Sequence, residues 1–240
     1  MEKSKTFYAK IFGDRALITM PETKSGGEKY SYPVPTREML RGILDSNYYK
    51  PTFQNVVEEI RIMKPIETES QGIRLLKSDY KPDLSSYTYL ADVCYYVKYH
   101  FEWNLGREDL AKDRNMRKHE EITERSLKRG GRRPIFLGVS ECMGYIEELT
   151  ASDYEQDPGY YDNTNIGFGI MFVGFLYPQK SGELLRAAYA PIHMQHGRIV
   201  YPKPEDCPII NEVGNYIFRE PVLTKTVEEE LADDIGGLKL

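Results

Sequence analysis

The stretch "SSYTYLADVCYYVKYHFEWN", Ser85 to Asn104, is dense in tyrosine, valine and phenylalanine, residue types that suit a pleated, half-buried surface. It reads as one long strand, and the elements around it limit the folds open to the chain. "KTFYAKIFG" alternates like a strand, and "RALITM" continues it after a Gly13–Asp14 turn. "PETKSGGEKYSYPVP" is rich in Gly and Pro and reads as a loop. Thr36 is a good N-cap, and "REMLRGILDSNYY" sets Met39, Leu40, Ile43 and Leu44 on one helical stripe that Pro51 stops. "FQNVVEEIRIMKPIETES" reads as a second long strand, joined to the first-named one by a hairpin loop, "QGIRLLKSDYKPD". A charged helix follows. Glu108 and Asp109 lie near its start, Lys128 and Arg129 in its last turn, and Gly130–Gly131 ends it, which suits the helix dipole. A break near Asn115 would leave a short helix starting around Arg117. "PIFLGVSECMGYIEEL" returns as one strand or a bent pair.

The order to Leu149 is thus strand, helix, strand, strand, helix, strand, the split motif of ferredoxin-like and RNA-recognition domains. After "TASDYEQDPGYYDNTN", a polar linker or loop, short strands with tight turns take over: "IGFGIMFVGFLYP", "LLRAAYAPIHMQ" and "GRIVYPKP". The expectation is an α+β chain. Residues 1–150 form a ferredoxin-like (RNA-recognition-motif-like) domain, and residues 151–240 a small C-terminal antiparallel β-sheet domain. Its end, "TVEEELADDIGGLKL", reads as a short acidic helix with frayed residues after it.

Charge is spread unevenly over the 240 residues, whose formal net is −5. Between Arg107 and Arg133 ten Lys/Arg face six Asp/Glu, a net of +4, which leaves −9 for the remainder. From Glu205 to Leu240 nine acids outnumber three bases, a net of −6. The protein as a whole is therefore not a basic nucleic-acid binder. A local basic strip can still steer a polyanion, because the field that matters is the one within a Debye length of about 10 Å. Cys94, Cys142 and Cys207 lie far apart with no CxxC pair. That pattern points to a reducing compartment and away from a disulfide framework or a zinc site. No apolar run reads as a signal peptide or approaches the ~20 residues of a membrane span. The expected setting is the cytoplasm, with no membrane partner.

Three stretches rise above this background. In "SLKRGGRRPIFLG", Ser126 to Gly138, the cations Lys128, Arg129, Arg132 and Arg133 surround Gly130 and Gly131. Such a loop can wrap a phosphate backbone with N–H groups and guanidinium forks. A helix C-cap with solvated arginines fits the same residues. It is not a Walker A loop, since no Gly-Lys-Ser/Thr follows at the required spacing. In "DRNMRKHEEI", Asp113 to Ile122, the cations Arg114, Arg117 and Lys118 stand beside His119. Nearby positive charge disfavours imidazolium and would keep His119 neutral and able to accept a proton. A solvated or structural helix histidine is the plainer reading. No HExxH or carboxylate–histidine spacing points to a metal ligand. Lys118 and His119 project about 100° apart, so they share no face but could straddle a phosphate at a helix start. In "NYYKP", Asn47 to Pro51, two tyrosines and a lysine close the first helix. They can stack on a base, contact phosphate or simply pack the helix end.

One chemistry would join the three: metal-independent RNA cleavage, needing no cofactor. The 2′-hydroxyl attacks its adjacent phosphate, which takes a base for that hydroxyl, a cation for the phosphoryl charge and an acid for the departing 5′-oxygen. His, Tyr and Lys suffice, and DNA, lacking the 2′-hydroxyl, would not be cut by them.

The segments "GDRALITMPETKSGGEKYSYPVPTREMLRGILDSNYYKP", "RIMKPIETESQGIR", "DRNMRKH", "RSLKRGGRRPIFLGVSEC" and "YPKPEDCPI" occur in this order between about Phe7 and Ile209. Together they resemble the CRISPR-associated family-five protein of the type I-C (Dvulg) system. Most family-five proteins are non-cutting subunits that hold the 5′ handle of a CRISPR RNA. Resemblance to the type I-C member implies more. It implies recognition of the CRISPR repeat RNA by its hairpin and single-stranded 3′ flank, and metal-free cleavage at the 3′ base of the stem. The protein would then stay on the handle in the interference complex (Cascade), beside the backbone and large subunits. The resemblance also implies a catalytic set of Tyr48, Lys118 and His119, with Tyr49 in a position that is often Trp. His119 would transfer a proton, Lys118 would stabilise phosphoryl charge, and Tyr48 would orient or deprotonate the 2′-hydroxyl. Which of Tyr48 and His119 is acid and which base stays open. The glycine loop from Lys128 to Arg133 corresponds to an RNA-contacting element, with Arg114 and Arg117 as further RNA-binding candidates. The alternative is a structural, non-catalytic subunit that holds the handle with the same basic strip.

Overall fold

The computed structural model describes residues 2–23, 28–76, 81–178 and 180–218. Its organising element is the strand expected from the tyrosine-rich run, β5 (Pro82–Trp103), 22 residues long. The strands β1 (Phe7–Ala16), β2 (Glu28–Tyr30), β3 (Phe53–Ile62) and β4 (Glu67–Leu76) all pair with it. On one edge β1 runs antiparallel from Phe7↔Tyr99 to Ala16↔Leu90, and β2 lies parallel near Ser86. On the other, β3 covers the C-terminal half from Phe53↔Trp103, and β4 covers the N-terminal half down to Leu76↔Pro82. Asp92, at φ 46°, sits between the β3-paired and β4-paired halves of β5.

The pleat decides which side chains face the helices. Alternate residues Tyr95, Val97, Tyr99, Phe101 and Trp103 are buried in the main core, together with Phe7, Ala9 and Ile11 of β1. Two helices supply the facing residues: α1 (Arg37–Asn47) with Leu40, Ile43 and Leu44, and α2 (Met116–Leu127) with Leu127. Thr36 caps α1 as expected, its hydroxyl accepting from Met39 N at 3.2 Å. The opposite face of β5 holds a second, smaller cluster, in which Cys94 and Tyr96 pack on Tyr154 of α3 (Ala151–Gln156).

On the outer edge of β1 the sheet continues through β7 (Met143–Glu148) to β6 (Ile135–Phe136). Beyond β3 it continues through β10 (Arg198–Val200), by Ile199↔Ile60, to β9 (Leu184–Gln195). β9 carries β8 (Asn165–Leu176) and β11 (Ile209–Asn215). Among the described residues the result is a mixed α/β fold on one eleven-stranded, mainly antiparallel sheet with the central order β3-β5-β1-β7. No helix among the described residues is long and apolar enough to cross a membrane.

Several local expectations are corrected. There is no turn at Gly13–Asp14: β1 runs through it. Gly13 is there for close approach, because a Cβ would lie 2.7 Å from Leu137 and 2.8 Å from the Met143 carbonyl. The run from Phe53 to Ser70 is two strands, broken around Pro65, which has no N–H for a ladder. Within "QGIRLLKSDYKPD", residues 71–76 and 82–83 are strand, the paired ends of β4 and β5, and residues 77–80 of the expected loop lie outside the described residues. "TASDYEQDPGYYDNTN" contains α3, capped by Thr150, whose hydroxyl accepts from Asp153 N at 3.1 Å. Arg61, nearly fully buried, ties the segment after α3 to the sheet by donating to the Asp157 carbonyl and the Asp162 carboxylate. The acidic tail helix expected over "TVEEELADDIGGLKL" lies outside the described residues.

Candidate active site

Two chain reversals meet at one end of the helical layer. At the end of α1, Tyr48 leaves the helix with extended backbone (φ −156°, ψ 120°), and Pro51 blocks its continuation. Before α2, a 3-10 turn over Glu108–Asp113 breaks at Arg114–Asn115, the expected interruption. Asn115 then caps α2, its side chain accepting from Lys118 N at 3.0 Å. The buried face of α2 is His119, Thr123, Ser126 and Leu127, a helical stripe. That phase turns His119 inward and leaves Arg117 and Lys118 outside. Ser126 Oγ donates to the Asn47 carbonyl at 2.6 Å and so fixes α2 against the end of α1.

The outcome is contact between two of the three residues expected to act, with the third alongside. Tyr48 Oη lies 2.8 Å from His119 Nδ1, and His119 Nε2 lies 2.8 Å from the Asp113 carbonyl oxygen. A carbonyl only accepts, so Nε2 carries the hydrogen, and Nδ1 of the neutral ring accepts from the Tyr48 hydroxyl. His119 is 0% exposed and Tyr48 3%. The imidazole is walled by aromatic rings: Phe53 at 5.3 Å, Trp103 at 5.8 Å and Phe101 at 6.4 Å, all edge-on. This burial is the main reason the His119 pKa is lowered; Lys118 and Lys50 push the same way, against the Asp113 carbonyl and carboxylate. Burial likewise raises the Tyr48 pKa, opposed by Arg132, whose guanidinium carbon lies 4.8 Å from the centre of the tyrosine ring.

Lys118, about half exposed, forms an ion pair with Asp113 Oδ1. Thr52 Oγ1 donates to Oδ2 of the same carboxylate at 2.9 Å, and that oxygen lies 3.4 Å from His119 Nε2. Hydrogen bonds from Lys118 and Thr52 hold the Asp113 carboxyl below the usual carboxylate range. Asp113 thus binds Lys118 through its side chain and orients His119 through its main chain. Chemically, the cluster offers a neutral imidazole, a hydroxyl bonded to it, and two cations, Lys118 and Arg132.

The remaining expected residues are placed differently. Arg114 directs its guanidinium to backbone, donating to the Asn104 and Arg107 carbonyls at 3.1 and 3.0 Å. Arg117 points to solvent, its side chain 89% exposed, and pairs with Glu121 one turn on. Such a pair contributes about 0.3–0.5 kcal/mol, too little to fix a site. Lys128 lies 3.9 Å from Glu148, while Arg129 and Arg133 are exposed. Gly130 and Gly131 end α2: Gly131 N donates to the Ser126 carbonyl and Gly130 N to the Leu127 carbonyl, both at 2.9 Å. With φ at 77° and 95° they form a Schellman cap, so helix termination accounts for them without a ligand.

Sequence reasoning missed Asp113, Thr52 and the aromatic wall. Asp113 stood inside the motif that was singled out, five residues before Lys118. Its signal was an acid preceding an Asn cap, the position from which a carboxylate can reach back over the first turn.

Comparison with known proteins adds a second line of support. The family model described as CRISPR-associated protein (Cas_Cas5), in its Cas5d form, matches residues 6–200. The CRISPR pre-crRNA endoribonuclease Cas5d of Mannheimia succiniciproducens is 26% identical over 186 residues, covering 62% of this chain and 80% of its own. The protein of that name from Thermus thermophilus is 38% identical over 55 residues, 23% of each chain. Among solved structures, a CRISPR-associated protein superposes with a TM-score of 0.77 at 42% identity, covering 88% of this chain and 98% of the other. A functionally uncharacterized protein from Streptococcus mutans superposes at 0.76 with 44% identity, covering 88% and 99%. With the family model spanning most of its length, the chain belongs to the CRISPR-associated Cas5 family.

Proposed function

We propose that this protein is a metal-independent endoribonuclease that cuts CRISPR precursor RNA at the 3′ base of the repeat hairpin, by attack of a 2′-hydroxyl on the adjacent phosphate. It then remains on the 5′ handle, beside the backbone and large subunits of the interference complex. The observation that carries the reading is the bonded set Tyr48–His119–Asp113–Lys118. Two relatives bearing the name pre-crRNA endoribonuclease support it. In this reading Tyr48 Oη takes the proton of the 2′-hydroxyl while its own passes to His119 Nδ1, so the buried imidazole acts as base through the tyrosine. As the 2′-oxygen bonds to phosphorus the P–O5′ bond breaks, and the departing 5′-oxygen takes its proton from solvent water. Lys118 and Arg132 offset the charge that builds on the phosphoryl oxygens. The reading includes a ferredoxin-like fold over residues 1–150, supported by the order β3-β5-β1-β7 with α1 and α2 on one face, and a β-rich C-terminal part whose described strands, β8 to β11, continue the same sheet and core.

One observation favours the alternative, a subunit that holds the handle without cutting it: His119 is fully buried and both its nitrogens are already bonded. A single assay separates the two. Purified protein is incubated in EDTA with repeat RNA, and with the same RNA carrying a 2′-deoxy nucleotide at the scissile position. Cutting of the first alone is expected; cutting of neither, with binding intact, selects the non-catalytic subunit.

A further inference from the structure

Gly42 stands in the middle of α1, where glycine weakens a helix relative to alanine. Its backbone is helical, and a Cβ built on it would meet nothing within 4 Å. Neither conformation nor packing calls for glycine there. What lies beside it is a groove of about 450 Å³ between α1 and the segment 136–139. Its walls include Met39 and Ile43 on one side and Phe136 and Val139 on the other, and Thr19 and Ser46 bring hydroxyls to it. Gly138 on the far wall is the opposite case. At φ 99°, a Cβ there would lie 2.0 Å from the Leu17 carbonyl oxygen, so close backbone contact holds that wall in place. One glycine lets the wall approach; the other only leaves room.

Two of the segments that line the groove, α1 and the stretch that follows Arg132, also lead to the candidate active site. Ser46 lines the groove, and Tyr48 follows two residues later. Phe136 lines it too, 42% exposed, and Arg132, stacked over Tyr48, precedes it by four residues. Arg132 and Arg133, both exposed, put two cations on the segment that leads into it. A polyanion held by those arginines brings its bases to an apolar slot with an aromatic wall, the arrangement that stacks unpaired bases. We propose that this groove takes one unpaired nucleobase of the RNA strand passing Tyr48, and so helps set which sequence is held there. The inference rests on the RNA-cleaving reading above.

Two variants test it: Gly42→Leu, which fills the groove from a position with room for a side chain, and Phe136→Ala, which removes the exposed wall. Thermal melting checks that each is folded. Affinities are measured for repeat RNA and for a panel with one abasic nucleotide at a time through the 3′ flank and stem base. With the unaltered protein, one abasic position should weaken binding about tenfold. Gly42→Leu and Phe136→Ala should each weaken binding of intact RNA by a similar factor and become indifferent to that position. A flat abasic scan, or folded variants that bind intact RNA as tightly as the unaltered protein, overturns the inference, even if they then fail to assemble with a protein partner. If the unaltered protein neither binds nor cuts repeat RNA, the functional reading falls first and the inference with it.

Discussion

Tyr48 and His119 are 71 residues apart in the chain, yet one hydrogen bond of 2.8 Å joins them, and the tyrosine is its donor. Tyr48→Phe removes that donor while keeping the ring beside Phe53 and Arg132. Single-turnover cleavage should fall about 10²–10⁴-fold, the usual range for one acid–base group. Repeat-RNA affinity should stay nearly unchanged; equal loss of binding and cleavage would refute the assignment.

The buried imidazole sets the pH dependence. Its folded pKa lies below the ordinary 6.5, so on acidification an unfolded chain takes up this proton before the folded one does. His119 therefore contributes stability above pH 6.5 that is lost as pH falls toward the folded pKa. Cleavage should fall with protonation of the folded enzyme, because imidazolium cannot accept from Tyr48. Asp113, held low, stays charged across that window. Single-turnover rates and melting temperatures measured between about pH 5 and pH 8 test this; an acid limb at or above the ordinary histidine pKa would count against it.

Lys118 and Asp113 should separate on mutation. Lys118→Ala removes the cation, whereas Asp113→Asn keeps it but loosens its tether. The first should all but abolish cleavage. The second should lower kcat on the order of 10- to 100-fold, the scale of a misplaced group, with little change in KM. Steady-state kinetics on repeat RNA reads the difference.

Arg132 and Arg133 are neighbours with different surroundings. Replacing either by Ala should weaken binding and reduce the salt slope of log K by about 1, the signature of one phosphate contact. Only Arg132→Ala should also slow cleavage at saturating RNA, since only Arg132 lies over the Tyr48 ring. Equal rates for the two variants would contradict this.

The two groove glycines predict opposite stabilities. Gly42→Ala should stabilise the fold by about 0.4–1 kcal/mol. Gly138→Ala should destabilise it on the order of 3 kcal/mol, through a positive φ and a collision with the Leu17 carbonyl. Chemical denaturation of both gives the signs directly.

Local composition made the core elements legible. The Thr36 cap, the Leu40–Leu44 stripe and the tyrosine-rich run each stated their own structure. The far end of the β4–β5 ribbon, residues 71–76, was not legible as strand, because most of its residues are exposed. Nor was α3: its six residues show no stripe, and its one buried side chain, Tyr154, is explained by Tyr8, Cys94 and Tyr96 on distant strands. At the candidate site, Tyr48, Lys118 and His119 were named through resemblance. The tautomer was not, since it depends on a carbonyl that only the turn at Asp113 presents.

The placement of β5 bears on how the chain is made. Among the described residues, every strand that β5 joins directly precedes it in the sequence, and the contact Phe7↔Tyr99 closes a separation of 92 residues. At about 5–20 residues per second of synthesis, β1 waits roughly 5–20 s for its partner. During that interval amphipathic segments emerge with their ladder groups unpaired. Pairing of β1 with β5 thus has to wait until about a hundred residues have been made, and that nascent stage is where a chaperone would have most to shield.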